Sequence, residues 1–215
     1  MTRTVLCFGD SNTHGADPTR PDRFAWEVRW PGVLQGSLGV GWRVIEEALG
    51  GRTTVFDDPF SEGRNGRAYL QPCLESHQPV DLLTLMLGTN DLKAVYRNTA
   101  QTVAAGMTNL VRLARRSEAG PGGKAPAILV IAPAPLGPIA GFSELWGFGE
   151  AVAASRELAR FYRLVAEQEG VEFLDAGEVA AVDPSEGVHI TAESHHNLGQ
   201  AVAARILEWF PPAEG

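Results

Sequence analysis

The sequence predicts an α/β fold of three layers, with helices on both faces of a parallel sheet. Two observations carry that reading. Runs such as "LLTLMLG" and "AILVIAP" are apolar throughout instead of alternating, which suits strands covered on both faces. The stretches between such runs carry apolar residues at helical spacing, and strands alternating with helices imply βαβ units. The 215 residues are enough for one domain with a full core, and 1–215 is read as a single domain.

Five runs read as strands: residues 4–8, 43–46, 82–87, 128–132 and 172–174. Trp30, Val33, Leu34 and Leu38 share one helical face, as do Val103, Met107, Leu110, Val111 and Ala114. A third helix is expected from about 150 to 168, its core side formed by Val152, Leu158, Phe161, Tyr162 and Val165. The last is expected from about 193 to 208, through Leu198, Val202, Ile206 and Trp209. Cys73 falls in a further helical stretch that ends near His77. Three segments resist this scheme: polar 17–27, Gly-, Asp- and Arg-rich 52–67, and 133–148, which is rich in Pro and Gly yet holds several large apolar side chains. Each follows a strand or the turn after it. In open α/β sheets such carboxyl-end loops build the ligand site; packing on the molecule's own surface or on a neighbouring subunit is the plainer alternative for 133–148.

Charge narrows the function classes. The net charge is −8 and the pI about 5.1, against a general nucleic-acid binder with its basic face. No segment approaches the roughly 20 apolar residues of a membrane helix. The start, "MTRTVLCFGD", lacks the length and cleavage site of a signal peptide, so a cytoplasmic protein is expected. Cys7 and Cys73 fit that compartment as unpaired thiols, with no CxxC and no histidine partner spacing in view. GxxxxGK[ST] is missing and no GxGxxG follows the first strand, against a nucleotide-binding domain.

The segment "VLCFGDSNTHG" places Ser11 just past the first strand, where it can be held above the sheet. Asp10 or Ser11 equally suits a cap for the next helix. Three other segments converge on the same rim. "LGTND" puts Asn90 at the tip of the third strand, "GGRT" puts Gly50 and Gly51 after the second, and "EGVHITAESHHNLG" puts His189 after the fifth.

Taken together, these motifs resemble the SGNH branch of the GDSL hydrolases over nearly the whole chain. "GDSNTHG" is similar to its first block, "GTND" to its third and His189 to its last. The "CFGDS" start, Val28–Trp30, residues 46–59 and "LGTND.KA" are most similar to bacterial arylesterase and acyltransferase-like members. The resemblance implies a flavodoxin-like five-stranded parallel sheet in the order 2-1-3-4-5. It also implies hydrolysis of short-chain aryl or alkyl esters, with acyl transfer to alcohols as a further activity. Ser11 is then the nucleophile and His189 the base that takes its proton and returns it to the leaving alcohol. The oxyanion donors map onto the Ser11 amide, the Gly51 amide, with Gly50 as fallback, and the Asn90 side chain. The family's usual aspartate, three residues before the histidine, is replaced here by Glu186; Asp183 is its rival.

Asn12, Lys93, Trp146, Phe148 and Val188 are the expected pocket residues, with His14, Trp26 and Trp30 as further candidates. A solvated helix face for Lys93 and core packing for the tryptophans are the plainer alternatives. Arg52 and Asp91 suggest an ion pair between loops, Asp175 a turn or cap, and His195 and His196 surface or capping roles. None of the remaining histidines forms a familiar metal set, so a site free of metal and cofactor is expected. The expected partners are a small ester and water or an alcohol, with neither nucleic acid nor membrane; related arylesterases imply a homo-oligomer. Two other readings stay open: a carbohydrate acetyl-esterase using the same residues, and a non-catalytic flavodoxin-like binding protein.

Overall fold

In the computed structural model, residues 2–149 and 151–210 are described. The chain runs β1 (Arg3–Gly9), α1 (Ser11–His14), α2 (Trp30–Leu38), β2 (Trp42–Ala48), α3 (Gly66–His77), β3 (Leu82–Met86), α4 (Ala100–Arg116), β4 (Ala127–Ala132), α5 (Ala151–Glu169), β5 (Glu172–Asp175) and α6 (Ala192–Trp209). The strands form one sheet in the order β2-β1-β3-β4-β5, and every neighbouring pair is parallel. This is the expected order. The expected start of α5, Glu150, lies outside the described residues.

Apolar runs without alternation become strands covered on both faces. Leu6, Phe8, Leu83, Leu85 and Val130 point into one core, shared with α3, α4 and α5. Their neighbours in sequence, Val5, Cys7, Leu82, Leu129 and Ile131, point into a second core with α2 and α6. Side chains alternate across a strand, so one continuous apolar run feeds both. The expected face of α4 is fully buried from Val103 to Ala114 at its five named positions. Hydroxyl and amide side chains start the long helices: Asn65 accepts from Ala68 N, Thr99 from Thr102 N and Thr191 from Ser194 N.

The chain leaves β1 for β2 on one side and returns to β3 on the other. The crevice above β1 and β3 is therefore the point where strand order reverses, the usual ligand position in an open α/β sheet. Cys7 and Cys73 are both buried and unbridged. Among the described residues no helix is long and apolar enough to cross a membrane.

Candidate active site

Ser11 is the first residue of α1, a single helical turn directly after β1. Asp10 caps that turn, its Oδ1 accepting from Asn12 N at 2.9 Å. Ser11 therefore stands half-buried at the carboxyl rim of the sheet. The capping alternative holds for Asp10, and Ser11 faces a cavity of about 280 Å³ whose wall also includes Gly50, Gly51, Asn90, Lys93, Trp146, Phe148, Val188 and His189.

His189 arrives from the loop before α6. Its Nδ1 lies 3.0 Å from Glu186 Oε2. The other oxygen of that carboxylate accepts from Val188 N at 3.3 Å and from His189 N. The ring is thus oriented with Nδ1–H toward the carboxylate, which leaves the Nε2 lone pair as a proton acceptor. Asp183, the rival, instead closes its own turn through Ser185 N at 2.9 Å and Ser185 Oγ at 2.5 Å. Gly187 makes the tight bend between Glu186 and Val188, at φ +80°. An added Cβ there would meet Pro138 O at 2.3 Å.

The segment 133–148 packs onto this bend. Gly137 N donates to Gly187 O at 2.9 Å. Ser143, fully buried, donates to Glu186 O. The short 3-10 helix at Gly141–Trp146 then lays Trp146 edge-on to His189, ring centres 5.2 Å apart. Sequence reasoning missed Ser143, because nothing in a Pro- and Gly-rich loop marks which hydroxyl meets a remote carbonyl.

Gly50 and Gly51 occupy the middle of a turn closed by Arg52 N donating to Leu49 O at 3.1 Å. Gly51 has φ +78°, the left-handed value that the third position of a type II turn requires. Among the described residues no backbone acceptor faces the Ser11 or Gly51 N–H. Asn90 lies against the same cavity, its Nδ2 donating to Arg52 O at 3.2 Å and to Asp10 Oδ2 at 3.3 Å.

Several expectations need correction. Asn12 does not line the cavity. It is buried beneath the histidine loop, donating to Val188 O at 3.2 Å and accepting from Ile190 N at 3.0 Å. Trp30 is fully buried in the core shared with α2 and α6, and Trp26 packs against that core. Arg52 and Asp91 do not pair with each other. Arg52 donates to Gly9 O and Glu47 O and stacks over Phe8, while Asp91 accepts from Thr54 N and Oγ1. His195 is not a surface residue. It is fully buried, and its Nδ1 accepts from Trp30 N at 3.2 Å. These positions share a cause: their partners are far away in sequence, and only the packed chain supplies them. His14 does line the cavity, and Asp175 caps a turn through Gly177 N at 2.8 Å.

A second cavity, of about 530 Å³, also borders His189 and shares Ala16 and Trp146 with the first. The loop Ala16–Asp22 forms one wall; Phe142, Trp146, Ser185 and Glu186 form the other. Asp17 anchors the first wall, accepting from Thr19 N at 2.9 Å and pairing with Arg20 at 3.2 Å.

Burial shapes the electrostatics. It pushes Asp10 up to about 6, against the Asn12 amide and the charges of His189, Arg52 and Lys93. It pushes Asp91 up to about 7, against hydrogen bonds from Thr54. It lowers Lys93, against the attraction of Asp58 and Asp10. His195 falls to about 3, first by burial and then by the charge of His189. A hydroxyl, an imidazole anchored on a carboxylate and two free amides around one cavity can carry out acyl transfer through a covalent intermediate.

Comparison with known proteins finds similarity over nearly the whole chain. The model of the GDSL-like lipase/acylhydrolase family matches residues 7–196. The structure is similar to Est24, a carbohydrate acetylesterase from Sinorhizobium meliloti, at 40% identity and TM-score 0.93, covering 97% of this chain and 100% of that one. It is similar to the aryl esterase of M. smegmatis at 41% identity and TM-score 0.90, covering 96% of this chain and 99% of that one. A lipolytic G-D-S-L protein from Veillonella parvula shares the fold at 15% identity and TM-score 0.67, covering 97% of this chain and 98% of that one. No curated protein matches the chain.

Proposed function

The chain belongs to the GDSL-like lipase/acylhydrolase family, and we propose that it is a serine esterase for short-chain carboxylic esters, with Ser11 as nucleophile and His189 as base. The observation that carries this reading is one cavity walled by Ser11, Gly51, Asn90 and His189, with Glu186 anchoring the imidazole at 3.0 Å.

Ser11 Oγ attacks the ester carbonyl while His189 Nε2 takes its proton. The resulting imidazolium is stabilised by Glu186 and returns the proton to the departing alcohol. The Ser11 and Gly51 amides receive the negative oxygen of the tetrahedral intermediate. Asn90 lines the same cavity and offers its Nδ2 group as the third donor. Each such donor is worth about 3–4 kcal/mol in the transition state. Water completes the cycle on the acyl-enzyme, or an alcohol does so in acyl transfer. Trp146, Phe148 and Val188 bound the smaller cavity, which suits a small acyl group.

The decisive experiment pairs a fluorophosphonate label with turnover of phenyl acetate. The wild-type enzyme is labelled and active, whereas Ser11→Ala is folded, unlabelled and at least about 10³-fold slower. Equal labelling of the two proteins moves the nucleophile away from Ser11, and no labelling of the wild type favours a non-catalytic binding protein.

A second reading, a carbohydrate acetyl-esterase, is favoured by the 530 Å³ cavity beside His189. Its Asp17, Thr19, Arg20 and Asp22 offer donors and acceptors opposite Phe142 and Trp146, a lining suited to a hydroxyl-rich leaving group. A higher kcat/KM for an acetylated monosaccharide than for phenyl acetate, lowered selectively by Arg20→Ala, supports it; the reverse preference rejects it. We also propose a homo-oligomer in the cytoplasm. Phe142 and Leu145 are 79% and 78% exposed beside this cavity, an apolar rim that a second copy can cover, and the free thiols suit a reducing compartment. Sedimentation at the mass of one chain would remove the oligomer.

A further inference from the structure

We propose that Glu47, Cys73 and His77 form a binding site for a borderline-soft divalent cation of the Zn²⁺ type, apart from the catalytic cavity. Their donor atoms all lie within 4.8 Å of one another. Sequence reading finds no such set, because Glu47 comes from β2 and the other two from α3. The signal it had was the spacing of four between Cys73 and His77, which stacks both on one helical face.

The arrangement is close to that of a ligand shell. His77 Nε2 already stands 2.7 Å from Glu47 Oε1. Ligands around a tetrahedral Zn²⁺ are spaced by about 3.4 Å, given bond lengths of about 2.0–2.3 Å, so small side-chain rotations open the centre. Tyr69 lies one turn before Cys73 on the same face and donates to the second oxygen of Glu47 at 3.2 Å. Arg52 donates to the Glu47 carbonyl at 2.6 Å. The Tyr69 contact orients the carboxylate, as outer partners of a carboxylate ligand do. The Glu47 and His77 side chains are 21% and 24% exposed, which leaves a path for the ion and a position for a water as fourth ligand.

The donor set selects the ion. A thiolate, an imidazole and one carboxylate suit Zn²⁺ or Co²⁺ and not Mg²⁺ or Ca²⁺, which prefer oxygen shells. The thiolate is the ligand form of a cysteine, so binding exchanges the Cys73 thiol proton, released to solvent, for the metal–sulfur bond.

The test is Co²⁺ titration of the chelator-treated full chain, read by absorption and followed by Zn²⁺ displacement and calorimetry. The expected result is one ion per chain, a sulfur-to-Co²⁺ charge-transfer band, and no response to Mg²⁺. Cys73→Ser abolishes the band. Cys73→Ser and His77→Gln each weaken Zn²⁺ at least about tenfold, while His189→Ala leaves Zn²⁺ binding unchanged. Far-UV dichroism of each variant establishes that it is folded. Absence of the band in the wild type, or Zn²⁺ binding that survives both α3 variants, overturns the proposal and leaves the three side chains as a hydrogen-bonded sheet edge.

Discussion

Glu186 carries one methylene more than the aspartate that the family resemblance implies three residues before the histidine. The extra length is absorbed by folding the side chain back over its own turn, where Val188 N and His189 N hold one oxygen and His189 Nδ1 the other. In the proposed mechanism an acid anchored in this way fixes the tautomer and offsets the imidazolium charge that forms during attack. Glu186→Gln should therefore lower kcat on the order of 10⁴-fold, by analogy with the loss seen when a triad acid becomes an amide. Asp183→Asn should change kcat less than about threefold, since Asp183 only closes a turn through Ser185. Steady-state kinetics on phenyl acetate checks both, and equal losses, or a larger loss at Asp183, would overturn the assignment of Glu186. Asn12 acts at the same scale without touching the cavity. It ties the turn that begins with Ser11 to the backbone of Val188 and Ile190, so the proposed nucleophile and base share one anchor.

The bend at Gly187 and the segment 133–148 behave as a single element. Gly137 N, Ala140 N and Ser143 Oγ all bond to carbonyls at Glu186 and Gly187, and Trp146 rests on His189. Gly187 is needed twice over, by its φ of +80° and by the 2.3 Å that a Cβ would leave to Pro138 O. Gly187→Ala should cost roughly 1–3 kcal/mol in urea unfolding. It should also lower kcat, because the displaced bend carries Glu186 and His189 with it. Unchanged stability together with unchanged turnover would show that the two segments move independently.

At the scale of the whole molecule, buried ionisable groups set opposing limbs of the pH–stability curve. Asp91 is raised to about 7, so its contribution is complete below the ordinary carboxylate value near 3.9 and is lost as pH rises through about 7. His195 is lowered to about 3. Its contribution is complete above the ordinary imidazole value near 6.5 and is lost as pH falls toward 3. Thermal unfolding measured from pH 4 to 8 should separate the two. Relative to the wild type, Asp91→Asn should gain stability as pH rises from 4 to 7, whereas His195→Gln should gain as pH falls through the same range. Curves that stay parallel to the wild type would remove both groups from the account.

Legibility follows the range of the interaction. Unalternating apolar runs had to become strands buried on both faces, and Ser11, Gly51, Asn90 and His189 had to fall on rim loops, because these outcomes depend on local pattern and on where strands end. Asn12, Trp30, Arg52 and His195 were misplaced for the opposite reason. Each meets a partner remote in sequence, such as Ile190 for Asn12 or Trp30 for His195. By itself the sequence determined the layered parallel sheet, the position of the crevice and the chemistry offered there. Only the tertiary structure decided that Glu186 holds His189, that Ser143 fixes their loop and that Glu47 meets Cys73 and His77. A buried polar atom takes whichever partner the packed chain brings within about 3 Å, and one-dimensional spacing does not contain that distance.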